Sequence, residues 1–108
     1  MPANDFLVDV PRFVQAGLPF DVTIYALDPY GNIDTNYTGT VPFTTTDMDS
    51  GVMLQANYTF TVGTDGDNGV PTFAAGATLY TVGDQTLTAA DANDGTITST
   101  ARVKVGGG

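Results

Sequence analysis

Short segments of the chain alternate apolar and polar side chains. Residues 20–26 give the clearest example, because Phe20, Val22, Ile24 and Ala26 share one parity. Successive side chains of a β-strand point to opposite faces, so this alternation is typical of a strand with one buried face. The segment therefore predicts a strand that contributes its even-numbered side chains to a core.

The same alternation recurs along most of the chain, between clusters of Gly, Asp and Asn that favour turns. The other predicted strands are residues 39–47, 57–62, 70–81, 85–91 and 95–105, together with residues 5–14, which Pro11 divides. Pro42 cannot donate a ladder hydrogen bond, so we expect its strand at a sheet edge or at a bulge. No segment shows the helical period of about 3.6 residues.

This pattern predicts an all-β fold, an antiparallel β-sandwich of seven to eight strands. Large apolar side chains at inward positions are expected to form the core, namely Phe20, Ile24, Phe43, Phe60, Phe73, Leu87 and Ile97. The length of 108 residues is typical of one domain. We assign residues 1–105 to that domain and interpret Gly106–Gly108 as a linker or terminal tail.

The charged residues narrow the range of partners. All 12 acidic residues are Asp, and the three cationic residues are Arg12, Arg102 and Lys104, which gives a net charge of -9. Nucleic acids and anionic membranes are both bound through basic faces. We therefore expect neither a nucleic acid nor a membrane as a partner.

The residue types also bear on catalysis. The chain contains no His and no Cys, so the usual pair of nucleophile and base cannot be built. Its carboxylates fall mainly in predicted turns, where no apolar pocket is expected to raise the pKa of one of them. The sequence therefore predicts a protein that is not an enzyme.

Part of the sequence resembles a known family. The segments concerned are AGLPFDVTIYALDPYGN (residues 16–32), TGTVPFTTTD (38–47) and VGDQTLTAAD (82–91). They resemble the immunoglobulin-like, filamin-type repeats that occur in tandem in large bacterial surface and secreted proteins. The resemblance spans roughly residues 14–105 and implies an immunoglobulin-like β-sandwich.

The resemblance also implies a function and a location. It implies a structural spacer or adhesion module, located outside the cell or at its surface, with neighbouring repeats as partners. It brings no catalytic residues, and we expect the isolated domain to be a monomer. The chain departs from antibody domains because it lacks their Cys and Trp residues, and Gln85 stands at the position of the usual tyrosine corner.

Three Asp-rich segments share the pattern D-x-[DN]-x-G: DMDSG (residues 47–51), DGDNG (65–69) and DANDG (91–95). A calcium loop of the EF-hand type needs Gly at its sixth position and Glu at its twelfth. Here Gly stands at the fifth position, and the chain contains no Glu. Asp and Asn side chains that bond their own backbone, followed by Gly, are typical of tight turns. We therefore interpret these segments, and DPYGN (28–32), as turns.

An alternative remains open for the same segments. Oxygen ligands from different loops could assemble a Ca²⁺ site at one end of a sandwich, which sequence spacing does not reveal. The candidate ligands are Asp28, Asp47, Asp49, Asp65, Asp67, Asp91 and Asn93. The alternative function is then a module that binds a glycan or a protein, with Ca²⁺ as its cofactor.

Several single residues carry further hypotheses. Tyr30 and Tyr37 flank the second turn and are candidates for a surface that binds a glycan or a protein. Asn36 and Asn57 each begin an NYT glycosylation sequon, which we interpret as a chance occurrence in a Thr-rich chain. Lys104 is expected to point outward from its strand, which disfavours an internal amide bond to Asn or Asp.

Overall fold

A computed structural model of the chain describes residues 3–107, so Met1, Pro2 and Gly108 of the predicted domain and tail lie outside the described residues. The strands are β1 (Asp5–Asp9), β2 (Phe13–Gln15), β3 (Phe20–Leu27), β4 (Thr40–Val41), β5 (Phe43–Thr45), β6 (Met53–Leu54), β7 (Tyr58–Thr59), β8 (Thr72–Thr78), β9 (Gly83–Ala90) and β10 (Thr98–Gly106). Residues 3–107 include no helix, so the all-β prediction is confirmed. In particular, this part of the chain offers no apolar helix of a length that could cross a membrane.

The strands form two larger sheets and one small one. The first sheet has the order β1-β3-β8-β6, the second has the order β2-β10-β9-β5, and β4 pairs with β7. All pairings are antiparallel except that of β2 with β10, which is parallel. The antiparallel prediction is therefore confirmed for every strand but β2.

Both four-stranded sheets turn alternate side chains into one buried cluster. From the first sheet come residues such as Ile24 and Ala77, and from the second come Leu87 and Val103. All seven predicted core residues are buried. The result is a sandwich-like arrangement in which the apolar faces of the sheets exclude water from a shared core.

Five aromatic rings form the part of the core next to β1 and β7. Phe60 lies at the centre, with ring centroids 4.7 Å from Tyr37, 5.9 Å from Tyr58 and 6.1 Å from Phe6. Tyr58 in turn meets Phe73 edge-on at 4.8 Å. Phe6 and Phe60 are stacked and the other pairs are edge-to-face, and both arrangements are favourable beyond their burial at these separations. Phe6 and Tyr37 belong to this cluster, although neither was among the predicted core residues.

Proline accounts for one of the two strands by which the structure exceeds the eight predicted, and the other is β6, in a segment where no strand was predicted. The predicted strand of residues 39–47 is divided at Pro42, so that β4 pairs with β7 while β5 pairs with β9. Pro42 removes one ladder donor, which allows the chain to change partners at that point. β5 is an edge strand of the second sheet, as the proline predicts.

Strict alternation along residues 70–81 and 57–62 would turn Ala75 inward with Phe73 and Val62 inward with Phe60, but both are exposed. Ala75 of β8 has a positive φ of 52° and is exposed. Its N–H binds the carboxylate of Asp21 at 2.8 Å, and the pairing of β3 with β8 shifts at this level. Val62 is 45% exposed because β7 ends at Thr59, before the alternation can continue. The strict alternation predicted for these two segments is therefore wrong at a bulge and beyond a strand end.

The long loops lie at two ends of the molecule. At the first, which we call the Asp28 end, Asn4 N–H binds the carbonyl of Leu27 at 2.9 Å. At the second, which we call the Asp47 end, Ala16 N–H binds the carbonyl of Gly106 at 2.9 Å, and Gly106 closes β10 rather than belonging to a separate tail. The described chain thus begins at the Asp28 end and finishes at the Asp47 end.

Candidate functional site

Three loops meet at the Asp28 end. They are residues 28–39, 60–71 and 91–97. Ala26 N–H binds the carbonyl of Gly69 at 2.9 Å, and Asp34 N–H binds the carbonyl of Ala26 at 2.8 Å. A shallow depression opens between the first and third loops, lined by Asn4, Asp5, Leu27, Asp28, Pro29, Gly31 and Thr96. This end therefore holds most of the Asp-rich segments.

Asp28 closes the turn that follows β3. One carboxylate oxygen accepts the N–H groups of Tyr30 and Asn32, each at 2.9 Å. The hydrogen bond from Asn32 N–H is the main cause that lowers the pKa of Asp28. Gly31 supplies the positive φ of 83° that the turn requires. The contacts are those predicted for a self-bonded turn.

Asp91 fixes the third loop to the first. One of its oxygens accepts the N–H groups of Asn93 at 2.7 Å and Asp94 at 3.0 Å. Its other oxygen accepts the hydroxyl of Tyr37. Both side chains are buried, and Gly39 passes so close that a Cβ at that position would overlap the Tyr37 hydroxyl and the Asp91 carboxylate. The pair thus forms a buried polar contact between the two loops.

The burial of Tyr37 corrects its predicted role. Only 8% of the residue is exposed, and burial together with the hydrogen bond to Asp91 raises the pKa of the Tyr37 hydroxyl. The ring packs into the aromatic core, so it is not available to a ligand at the surface. Tyr30, by contrast, is 76% exposed and remains a candidate for binding.

Asp67 organises the second loop. Its carboxylate accepts the hydroxyl of Tyr58 and, at 3.0 Å, the N–H of Thr61. Burial, followed by the hydrogen bond to Asp67, raises the pKa of Tyr58. Asp65 and Asn68 take positive φ values of 64° and 50°, which Asp and Asn tolerate better than most residues. TDGDNG therefore has the contacts of a compact turn.

Asp47 occupies the opposite end of the molecule. Its carboxylate accepts four hydrogen bonds: from Asp49 N–H at 3.0 Å, Tyr80 N–H at 2.8 Å, Thr81 N–H at 2.9 Å and the Thr81 hydroxyl at 2.7 Å. Burial alone would raise the pKa of Asp47, but these hydrogen bonds outweigh it and lower the pKa to about 2. Asp47 therefore joins its own turn to the corner between β8 and β9.

This contact makes part of the stability sensitive to acid. The folded-state pKa of about 2 lies below the ordinary value of 3.8, so the stabilisation is complete above the ordinary value and is lost as the pH falls toward 2. The shift corresponds to about 2 kcal/mol. Asp47→Asn should therefore be less stable than the unchanged protein by about that amount at neutral pH. Urea denaturation over a pH series should show the difference shrinking in acid, and a difference that stayed constant would contradict this assignment.

Gln85 takes part in the same corner. It is buried at the start of β9, where its amide N–H donates to the carbonyl of Thr81 at 3.3 Å. Its amide oxygen accepts the hydroxyl of Thr46 at 2.8 Å. The sequence predicted only that a tyrosine corner would be missing. The structure shows that the glutamine makes a comparable bond to backbone a few residues upstream.

The structure separates the candidate Ca²⁺ ligands into two groups. Asp28, Asp65, Asp67, Asp91 and Asn93 belong to the loops of the Asp28 end. Asp47 and Asp49 lie beside the start of β9, at the Asp47 end. Among residues 3–107 no three acidic side chains are placed as a group that could hold a metal ion. A site that used all seven candidates is incompatible with this separation.

The remaining single-residue predictions fall on the surface. Asn36 and Asn57 of the two sequons are exposed. Lys104 is exposed while its neighbours Val103 and Val105 are buried, so its predicted outward orientation is confirmed.

The Asp carboxylates at both ends of the molecule are already engaged in hydrogen bonds. The carboxylates of Asp28, Asp47, Asp67 and Asp91 each bond backbone or hydroxyl groups of their own or a neighbouring turn. Such bonds rigidify loops, and they use lone pairs that a ligand would otherwise need. Comparison with protein-family models, with curated proteins and with solved structures gives no match for this chain, so these contacts stand as the basis for any function.

Proposed function

We propose that this chain is an immunoglobulin-like β-sandwich module that serves as a non-catalytic spacer or adhesion unit in a larger extracellular multi-repeat protein. The observation that carries the proposal is the position of the two ends of the described chain. Asn4 lies beside Leu27 at the Asp28 end, and Gly106 lies beside Ala16 at the Asp47 end. A chain that enters at one end and leaves at the other can be joined to similar modules in a row.

The strand order supports the immunoglobulin-like part of the proposal. Sandwiches of this class place strands A, B, E and D in one sheet and strands C, F and G in the other. If β1, β3, β6 and β8 correspond to A, B, D and E, the first sheet has that order. The second sheet then reads G-F-C through β10, β9 and β5, with β2 added beside G. The hydrogen bond of Gln85 at the start of β9 takes the place of the tyrosine corner.

The state of the ionisable groups supports a non-catalytic role. The buried hydrogen bond between Tyr37 and Asp91 joins two ionisable side chains and is the contact that most resembles an acid–base pair. Both residues are buried, and the contact joins two loops. A general acid or base must reach a substrate within hydrogen-bond distance. The pair is therefore assigned a structural role.

The proposal is tested by joining two copies of the chain through Gly106–Gly108 and measuring small-angle X-ray scattering. One copy measures 42 × 27 × 21 Å along its principal axes. An end-to-end arrangement should give a maximum dimension about twice the 42 Å axis, with the single copy as the control. If the copies lay side by side, the maximum dimension would exceed that of one copy by only about one width, 21–27 Å. That result would contradict the spacer role.

The second candidate function is a ligand-binding module that holds Ca²⁺ at the Asp28 end. The observation that favours it is the depression lined by Asp5 and Asp28, with exposed Tyr30 in the adjoining turn. Carboxylate and carbonyl oxygens are the ligands that Ca²⁺ prefers.

A thermal melt in millimolar calcium and again in EDTA separates the two functions. For a spacer we expect no shift in the midpoint, because the Asp oxygens already bond their own turns. A site saturated about a hundredfold would add about 2.7 kcal/mol, and about 4–8 °C per kcal/mol is expected for a domain of this size. A rise beyond about 10 °C would therefore favour the calcium-binding module. Magnesium at the same concentration controls for general ionic strength.

A further inference from the structure

The fold brings the backbone positions of the three cationic residues close together. The sequence has three Lys and Arg residues, and Arg12 is far from the other two along the chain. In the structure, Lys104 of β10 pairs in register with Phe13 of β2, and the Lys104 N–H donates to the carbonyl of Arg12 at 2.8 Å. Arg102 has the same parity as Lys104 on β10. We call this surface, made of Arg12, Phe13, Arg102 and Lys104, the basic edge.

The basic edge is exposed and differs from the rest of the surface. Its three cationic residues are all exposed, and so is Phe13, at 73%. Paired residues of neighbouring strands share a face, so Phe13 and Lys104 stand side by side on the outer face of the second sheet. Arg102 lies about 7 Å further along β10 on that face. Phe13 therefore has no role in the core. It is a large apolar side chain beside the few cations of a chain whose net charge is -9.

The backbone of β2 is open on its outer side. β2 ends the second sheet, with β10 on its other side. Ala16 N–H binds the carbonyl of Gly106 at 2.9 Å, and the carbonyl of Arg12 accepts the N–H of Lys104. In a parallel ladder, alternate residues of a strand direct both backbone groups toward the partner strand. Arg12 and Ala16 face β10 in this way, and so does Val14 between them. The N–H groups of Phe13 and Gln15 and the carbonyl of Phe13 therefore point away from β10. The carbonyl of Gln15 is already bound by Leu18 N–H at 3.0 Å.

We propose that the basic edge binds an extended acidic polypeptide segment, which adds to β2 as a further strand of the second sheet. The free backbone groups of Phe13 and Gln15 match the spacing of a peptide main chain, as in other complexes formed by strand addition. The cations attract carboxylates, and Phe13 offers an exposed apolar contact beside Lys104. Asp84 of β9 pairs with Lys104 on the side away from β2. Its negative charge limits the basic edge to the β2 side of β10.

The choice of a polypeptide rests on two complementary features. A polyanion without a peptide backbone could contact the cations, but it would not use the open ladder groups of β2. An uncharged peptide could use the ladder groups but would gain nothing from Arg12, Arg102 and Lys104. A segment with Asp at alternate positions satisfies both, since its backbone can bond β2 while its carboxylates lie on the face that carries Phe13, Lys104 and Arg102.

The experiment uses a labelled synthetic peptide in which Asp alternates with Val, with fluorescence anisotropy at low ionic strength as the readout. The unchanged protein should bind the peptide, and added salt should weaken the complex. The double variant Arg102→Gln, Lys104→Gln should weaken binding by about tenfold or more. Gln15→Pro should also weaken binding, because it removes one open N–H while leaving the ladder with β10 intact.

Controls separate this proposal from its competitors. Asp84→Asn should tighten binding, since it removes the carboxylate beside Lys104, and a peptide with Asn in place of Asp should not bind. Strand addition would be overturned in favour of a simple polyanion contact if Gln15→Pro bound the peptide as well as the unchanged protein does and heparin bound to the protein in the same way. Self-association of the protein in sedimentation without peptide binding would overturn the proposal in favour of a second copy. Absence of peptide binding at low salt would also refute it.

Discussion

Replacing Phe60 with alanine should lower the free energy of unfolding by about 3–5 kcal/mol. Phe60 is 2% exposed and touches three aromatic neighbours, Phe6, Tyr37 and Tyr58. The truncation removes the ring that fills the space between them, and rings held by β1, by β7 and by the loop of residues 28–39 cannot all move in to close the cavity. At about 4–8 °C per kcal/mol, the melting temperature should fall by about 12 °C or more.

Chemical denaturation followed by near-ultraviolet circular dichroism is the appropriate measurement, because the cluster contains two tyrosines. Phe13→Ala is the matched control, since it deletes the same ring from a side chain that is 73% exposed. That control should change stability by less than about 0.5 kcal/mol. Equal effects of the two substitutions would show that the aromatic cluster is not the centre of the core.

Replacing Gly39 with alanine should be nearly as damaging, at about 3–5 kcal/mol. The new Cβ would overlap the Tyr37 hydroxyl and the Asp91 carboxylate, and would lie 2.5 Å from the Tyr37 ring carbon that bears the hydroxyl. The two side chains must separate to make room. Asp91 would then be left as a buried carboxylate without one of its donors, which is the costly way to break such a pair.

Gly95→Ala is the control for this substitution, because a Cβ at Gly95 meets no atom within 4 Å. Both changes add one methyl group, and neither glycine has a positive φ. Thermal melts of the two variants should therefore differ by the effect of the steric overlap alone. Similar melting temperatures would mean that the loop around Gly39 can shift without loss of the Tyr37–Asp91 contact.

The sequence predicted the all-β fold and the buried faces of its regular strands. The alternation around Ile24 and Leu87 depends only on the local pleat, so it is visible without knowledge of the partner strands. The same reasoning was wrong at Ala75, where β8 has two more residues than β3 between the pairs Phe20–Ala77 and Val22–Phe73. Bulges depend on the register between strands and leave little trace in the alternation itself.

The candidate sites were less accessible to prediction. The Asp-rich segments were interpreted as turns from local chemistry, and the carboxylates of Asp28, Asp47 and Asp91 each bond an N–H group two to four residues away. Asp67 instead bonds the N–H of Thr61, six residues away. The longer contacts, from Tyr37 to Asp91 and from Asp47 to Thr81, join segments that are distant in sequence. Nothing in a single sequence indicates such pairs. For the same reason the meeting of Arg12 with Lys104 could not be foreseen.

The placement of the chain ends also determines how the molecule would respond to tension. A pull on residues 3 and 107 would draw β1 toward the Asp28 end and β10 toward the Asp47 end. The ladder bonds of antiparallel strands are perpendicular to the strands, so such a force would shear the bonds of β1 with β3 and of β10 with β9. Bonds sheared together share the force, whereas bonds opened from one end break in succession. The fold is therefore oriented to resist stretching along the line between the two ends of the described chain.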